Sequence, residues 1–217
     1  RLSPIPESIM SAVCHFPSLE SAVQTAQQVI QYGVPIARIE MLNKDQMGIS
    51  INYSKLSNVE ETPTLFFEFH GTESSNNENI KIVEEISKDN NGSSFKWAKD
   101  LEERNKLWRA RWDVYYSVKA LINNGRVYST DVCLPISKIT ECVNYAEEQA
   151  KKFGLRAPMV GHLGDGNFHV LLPFDPEKKE TYKKIREFND LLIKKTLELN
   201  GTITGEHGVG LHKKEYL

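Results

Sequence analysis

No two of the three cysteines, Cys14, Cys133 and Cys142, are spaced as a CxxC pair. An odd, widely scattered set speaks against a disulfide framework and fits reduced thiols in an intracellular compartment. No apolar run approaches the ~20 residues needed to span a bilayer, so no transmembrane segment is expected. Basic tracts are missing too: 27 Lys and Arg stand against 29 Asp and Glu, for a net charge of −2. Nothing electrostatic therefore favours nucleic acid or an anionic membrane as partner. There is no internal repeat and no low-complexity tract. Initiator Met, signal peptide and transit segment are all lacking. Arg1 opens into a Pro-containing stretch and Leu217 follows closely on a Gly-rich motif, so both ends read as cuts in a longer chain. On that reading the missing targeting signals carry little weight.

What is present is an ordinary globular composition, 40% hydrophobic and 26% charged over 217 residues, enough to bury a real core. Ser8 to Phe16 reads as a strand. Pro17-Ser18 then starts a helix whose Leu19, Ala22, Val23, Ala26, Val29 and Ile30 recur at helical spacing, with Gly33 as its stop. Val34 to Leu42 and the Phe-rich Thr64 to His70 read as strands. Ser74 to Asn79 reads as a polar loop before a modest helix ending near Asn90-Asn91-Gly92. Leu101 to Ile122 is predicted as one helix with Trp108, Arg111, Tyr115, Val118 and Ile122 on one stripe. Arg126 to Leu134 is predicted as a strand, and Ser137 as the cap of a helix carrying Ile139, Cys142, Val143, Ala146 and Phe153 inward. A strand pair follows within Met159 to Pro173. Asp175-Pro176 then opens a helix to about Leu199, closed by Gly201, with a strand-like Gly201 to Ile203 after it. The pattern is α+β: an antiparallel sheet with helices on one side, in a single unit over residues 1–217.

The sharpest local signal is Gly161-His162-Leu163-Gly164-Asp165-Gly166-Asn167-Phe168-His169. Asp-Gly between alternating apolar runs is a strong two-residue hairpin signal. With Asp165-Gly166 as the loop, Gly164 pairs with Asn167, Leu163 with Phe168 and His162 with His169. A four-residue loop from Gly164 to Asn167 keeps the same histidines opposite. Direct cross-strand neighbours have Cβ atoms roughly 4.5–5.5 Å apart, a spacing that suits two imidazoles on one metal ion. The plain alternative is two ordinary sheet histidines beside a turn.

A second signal is Thr204-Gly205-Glu206-His207-Gly208-Val209-Gly210, whose glycines imply tight backbone geometry. Glu206 with the two hairpin histidines makes a His₂Glu set, suited to Zn²⁺ or Mn²⁺ with a position left open. His207, beside that set, is a candidate general base near neutral pH. The competing reading is a glycine turn with exposed polar residues. Arg111, on an apolar stripe, must find a partner: a substrate carboxylate or a structural acid. Arg104 and Arg109 fall elsewhere on the wheel and read as solvated.

GHLGDGNFH at Gly161 to His169 and GEHGVG at Gly205 to Gly210 resemble the two signature motifs of the C-terminal domain of FAD-linked D-2-hydroxyacid oxidoreductases. FEFHG at Phe67 to Gly71 and LWRARW at Leu107 to Trp112 extend the likeness. Tyr128 to Ser137 is similar to the mitochondrial D-lactate dehydrogenase branch. The resemblance implies an N-terminal flavin domain, outside these 217 residues, and an α+β cap domain with an antiparallel sheet. It implies His162, His169 and Glu206 as metal ligands, His207 as catalytic base, Arg111 as the hold on the substrate carboxylate and Tyr115 one turn further along beside it. Ser129 stands where the hydroxyglutarate branch has a lysine, which favours a monocarboxylate, with Arg126 and Lys138 expected to point elsewhere. The family's Asn-Pro-Gly segment is also missing here, so this stretch is expected not to retain FAD alone and to be inactive. Further implications are a small 2-hydroxy acid substrate, an electron acceptor such as cytochrome c or another electron-transfer protein, and a mitochondrial location. Two readings from other classes stay open: a His₂Glu metal-dependent hydrolase or oxygenase, and a metal-stapled binding module.

Overall fold

A computed structural model describes residues 5–57, 59–211 and 213–217. The readings placed on Arg1 and its neighbours lie outside the described residues. The chain runs β1 (Ser8–His15), α1 (Leu19–Gln31), β2 (Arg38–Leu42), α2 (Lys44–Ser54), β3 (Thr64–Gly71), α3 (Glu73–Asp89) and β4 (Ser93–Ala98). It continues with α4 (Leu101–Trp112), α5 (Val114–Lys119), β5 (Arg126–Ser129), β6 (Val132–Cys133), α6 (Ile139–Phe153), β7 (Met159–His162), β8 (Asn167–Phe174) and α7 (Lys179–Glu198).

All strands join one antiparallel sheet in the order β4-β1-β3-β2-β7-β8-β5, with β6 also paired to β8. Its first four strands, ordered 4-1-3-2 around α1 and α3, make a split β-α-β arrangement. The α+β class holds, but helices flank both faces rather than one. The cause is in the strands, whose alternate positions are apolar on both sides. Met10, Ala12, Cys14, Phe67, Phe69, Phe168, Val170 and Leu172 pack with α1, α3, α6 and α7. Val13, Leu42, Phe66, Val160 and Leu171 pack with Met47 of α2, Trp108 and Ala110 of α4, and Val114 and Val118 of α5. A buried side chain of this size stabilises by about 1.5–3 kcal/mol relative to exposure, so both layers contribute.

Local chemistry explains where the elements differ from the sequence reading. Ser74 to Asn79 is not a loop but the first turns of α3. Thr72 and Ser75 form a reciprocal capping box, and buried Asn76 donates to the Ser8 carbonyl at 3.0 Å. The expected single helix from Leu101 to Ile122 breaks at Asp113, whose carboxylate accepts from Arg109 Nε at 2.8 Å and from the Ser54 hydroxyl. After the break the inward positions restart at Val114, Ser117 and Val118. Ser137 does not cap α6: it lies in a 3₁₀ turn over Ile136–Lys138, closed by Lys138 N–H donating to the Pro135 carbonyl at 2.7 Å. Asp175 accepts from the Glu177 N–H at 3.0 Å, a local turn that delays α7 to Lys179. Asn200, not Gly201, takes the left-handed backbone after that helix, at φ +61°. α2 and β4 carry too weak an apolar pattern to have been read from sequence; Asn43 caps α2 by accepting from the Gln46 N–H at 3.0 Å.

Gly166 is where the turn chemistry is most constrained. It sits at φ +80°, and a Cβ there would lie 2.1 Å from the Leu134 carbonyl oxygen. Gly166→Ala should therefore lower stability by at least about 1–2 kcal/mol through the left-handed backbone alone. Thermal unfolding checks this; a melting temperature equal to the parent's would contradict the turn described.

Candidate functional site

The hairpin forms, with a register two residues away from the expected one. His162 pairs with Asn167, Gly161 with Phe168 and Val160 with His169, around a loop of residues 163–166. Leu163 leaves the ladder because its N–H donates to Ile39 O of β2 at 2.9 Å while its side chain is buried in the main core. The Asp165 N–H then closes a tight turn on the His162 carbonyl at 3.0 Å. The two histidines are thus diagonal rather than opposite. A slip of two residues preserves the face, since side chains alternate with period two. Their ring centroids lie 5.5 Å apart and the rings meet edge to face.

Each imidazole is oriented through Nδ1. His162 Nδ1 lies 2.9 Å from the Glu40 carboxylate on the neighbouring strand β2, its cross-strand partner. The same carboxylate accepts from Arg111 Nε of α4 at 3.0 Å. Burial pushes Glu40 up, but the His162 hydrogen bond and the Arg111 charge outweigh it and hold the carboxyl below the usual range. The Glu40 hydrogen bond in turn raises His162 above the ordinary histidine value, against its burial. His169 Nδ1 donates to the Thr130 carbonyl at 2.8 Å. Burial lowers His169 below the ordinary value, favouring the neutral imidazole.

With Nδ1 engaged on both rings, the Nε2 atoms face Glu206. Its Oε1 is 3.0 Å from His169 Nε2 and 3.6 Å from His162 Nε2. His207 Nε2 is 3.6 Å from the same oxygen, and its ring stacks on His169 at 4.9 Å. The ligand atoms of His162, His169 and Glu206 all lie within 4.8 Å of one another, as do those of Asp131, His169 and His207. His169 Nε2 is buried yet has no hydrogen bond; its approach to Glu206 is close without donor–acceptor geometry. A buried polar atom left without a partner asks for a ligand. One carboxylate oxygen and two neutral-capable imidazole nitrogens, each anchored from behind, are the donor set of a divalent-metal centre. The residues fit such an ion.

The other expected residues fall at different distances from this cluster. Arg111 reaches it through Glu40. Ser129 ends β5 opposite Leu171, on the histidines' face, and donates to the Thr130 carbonyl at 3.2 Å. Tyr115 leaves the predicted stripe: it follows the break at Asp113, is 48% exposed and packs edge-on against Tyr116. Arg109 is exposed and ion-paired to Asp113. Arg104 is half-buried rather than solvated, whereas Arg126 and Lys138 are exposed. Further along the same face Arg38 stacks over Trp108 at 4.6 Å and pairs with Glu68, which also takes His70 of the FEFHG stretch.

Sequence reasoning missed Glu40, Thr130 and Asp131. The first had a signal, an acid inside an otherwise apolar strand. Thr130 and Asp131 interrupt the predicted strand Arg126 to Leu134, and β5 and β6 flank them in one register on β8. Asp131 is buried. Burial would raise its carboxyl, but the Thr204 hydroxyl, the His207 N–H, the Asn167 amide and the Gly205 N–H hold it well below the usual range.

Glu40→Ala should free Arg111 and leave the His162 ring without its anchor. In the full-length protein, affinity for Zn²⁺ is expected to fall roughly 10–100-fold, the usual effect of losing an outer partner of a ligating histidine. Chelator competition measures it, and unchanged affinity would remove Glu40 from the site.

A family model described as the C-terminal domain of FAD linked oxidases matches residues 5–217. The chain is 44% identical over 217 residues to "Probable D-lactate dehydrogenase, mitochondrial" of Danio rerio, covering 100% of this chain and 44% of that protein. It is 35% identical to "D-lactate dehydrogenase (cytochrome), mitochondrial" of Arabidopsis thaliana, over 100% of this chain and 38% of that one. The chain thus spans less than half the length of these curated relatives. Among solved structures, 4-ethylphenol oxidase from Gulosibacter chungangensis superposes with a TM-score of 0.65 at 12% identity, over 94% of this chain and 46% of that one, a likeness of fold. With the family match running over nearly its whole length, this chain belongs to the C-terminal domain family of FAD linked oxidases.

Proposed function

We propose that this chain is the substrate- and metal-binding cap domain of a longer FAD-dependent D-2-hydroxyacid dehydrogenase that oxidises D-lactate to the 2-oxo acid, pyruvate. The observation that carries the reading is the convergence of His162 Nε2, His169 Nε2 and Glu206 Oε1, with His169 Nε2 buried and without a hydrogen bond. Family membership and the names of the relatives support the flavin and the substrate class. The same membership disfavours the hydrolase, oxygenase and binding-module readings. The flavin is held mainly by the part of the protein outside these 217 residues. The mitochondrial names of the relatives support a mitochondrial setting, and cytochrome c or another electron-transfer protein is the proposed acceptor.

His162, His169 and Glu206 would hold a divalent ion, which would supply Lewis acidity, and a flavin held by the rest of the protein would supply the hydride-accepting chemistry. Everything else falls to the chain's own residues. Glu40 and the Thr130 carbonyl engage Nδ1 of His162 and His169, which turns both Nε2 atoms toward Glu206. His207 receives the 2-hydroxyl proton on Nε2, the nitrogen beside Glu206. Arg111 spends one of its five N–H donors on Glu40, and the others hold the substrate carboxylate, which fixes the orientation of the 2-hydroxyl. Tyr115, near the start of α5 just past Arg111, is proposed to border the substrate end. Ser129, on the face of the histidines and without charge, offers a second carboxylate no ion pair and so favours a monocarboxylate.

Two sets of variants test this in the full-length enzyme. His162→Ala, His169→Ala and Glu206→Ala should each lose stoichiometric metal, whereas His207→Asn should keep metal and flavin while turnover falls roughly 10²–10⁴-fold. Metal analysis and steady-state rates decide it: if the three ligand variants stay folded and fully metallated, the centre is wrong.

Substrate preference is the second expectation. The parent should show a higher kcat/KM for D-lactate than for D-2-hydroxyglutarate, and Ser129→Lys should narrow the gap. A parent equally efficient on both would show that Ser129 does not set the choice.

A further inference from the structure

The residues that chemistry needs on the Gly-rich segment, Glu206 and His207, lie on an exposed stretch with no strand or helix to hold them. Among the described residues, an isolated bridge, Cys133 to Thr202, ties the segment to the sheet just before them. Beyond that bridge the backbone wraps around one side chain. Asp131 Oδ1 accepts from the Gly205 N–H at 3.0 Å, the Glu206 N–H at 3.4 Å and Asn167 Nδ2 at 2.8 Å. Its Oδ2 accepts from the N–H groups of Gly205 at 3.0 Å, Glu206 at 3.3 Å and His207 at 3.0 Å, and from the Thr204 hydroxyl. Three successive backbone N–H groups converging on one carboxylate form an anion-binding nest, occupied here by the protein's own anion. Lys213 closes the far end, its Nζ donating to the Asp131 carbonyl at 2.8 Å and the Ile203 carbonyl at 2.7 Å.

Asp131, His169 and His207 also qualify by distance as a metal-binding triplet. The hydrogen bonds argue against that use. A carboxylate has about four lone-pair sites, and the donors named above already exceed that number. The Asp131 side chain is fully buried, with 0% exposure, whereas Glu206 Oε1 faces the two imidazoles from an exposed side chain. Gly205 fits the same picture: a Cβ there would come within 2.1 Å of Asn167 Nδ2 and 3.1 Å of Asp131 Oδ1, so only glycine lets the backbone close on the carboxylate.

We propose that Asp131 is the positioning residue of this site: its buried carboxylate templates the backbone of residues 204–207 and so aims Glu206 and His207 at His162 and His169. The role rests on the metal-centre reading above for its consequence, but the clamp itself is a property of the backbone. Asp131 stands in register opposite His169, with Oδ1 3.8 Å from Nδ1, so one edge of β8 sets both the histidine and the anchor of the loop.

The test is Asp131→Asn in the full-length protein, which keeps the shape but turns one acceptor oxygen into a donor facing backbone N–H groups. Amide hydrogen exchange should show lost protection at Gly205, Glu206 and His207, with the β7–β8 amides as protected as in the parent. Affinity for Zn²⁺ or Mn²⁺, by chelator competition, should fall roughly 10–100-fold. Should that variant not fold, Thr204→Val removes one donor to the carboxylate while leaving the charge, and the same loss of protection, smaller in size, is expected. Unchanged exchange at 205–207 in a folded variant overturns the proposal. Complete loss of metal with those amides still protected also overturns it, because Asp131 would then be a ligand. A parent that takes up neither ion sinks the metal centre instead, and the exchange measurement still judges the clamp.

Discussion

Glu40 and His162 face each other across β2 and β7, and the site is arranged around that pair. Glu40 is a carboxylate on the sheet face that also carries Val13, Leu42, Phe66 and Val160 beneath Trp108. Taking such a charge out of water costs several kcal/mol, and it persists only with good partners. His162 and Arg111 are those partners, one from the sheet and one from the helix above it. Their meeting fixes the plane of the His162 ring, engages Nδ1 and leaves Nε2 facing the neighbouring histidine. It also ties α4 to the sheet where the apolar layer gives way to the polar end.

His169 follows the same logic with a neutral anchor. The Thr130 carbonyl takes its Nδ1, and Thr130 Oγ1 accepts from the Val170 N–H at 2.8 Å, so the edge of β8 is held while the chain between β5 and β6 departs from the ladder. The departure brings Asp131 inward on the histidines' side. The His162 and His169 imidazoles thus stand on paired interior strands of the sheet, whereas the Glu206 carboxylate and the exposed His207 imidazole come from a segment without regular structure. Mixed construction of this kind places two of the groups on the regular scaffold and the other two on an accessible loop.

The two apolar layers have separate tasks in this arrangement. The layer of α1, α3, α6 and α7 covers one whole face of the sheet and carries most of the buried aromatic side chains of the strands. The smaller layer of α2, α4 and α5 covers only part of the other face. Where it stops, Arg38, Glu68 and His70 form a hydrogen-bonded polar chain on β2 and β3, beside the Glu40 and His162 pair on β2 and β7. A face that is half oil and half charge sets polar side chains beside a dry support.

The strand and helix periodicities, the stop at Gly33 and the His-Leu-Gly-Asp-Gly hairpin were legible in the chain, because each depends on neighbours within a few residues. Period-two alternation also protected the inference about the histidines: the register moved by two, and both rings stayed on one face. Other features were decided by tertiary contact. Leu163 left the hairpin ladder because β2 offered a carbonyl and the core took its side chain. The helix through Trp108 broke at Asp113 because Ser54, far away in sequence, reached its carboxylate. Glu40 joined His162 across 122 residues and Asp131 gathered the N–H groups of a loop more than 70 residues further on, separations that no local pattern encodes. Local spacing determined which side chains carry chemistry; the pairing of distant strands determined which partners orient them, since a buried charge or a ring nitrogen is satisfied by whatever the fold brings within about 3 Å.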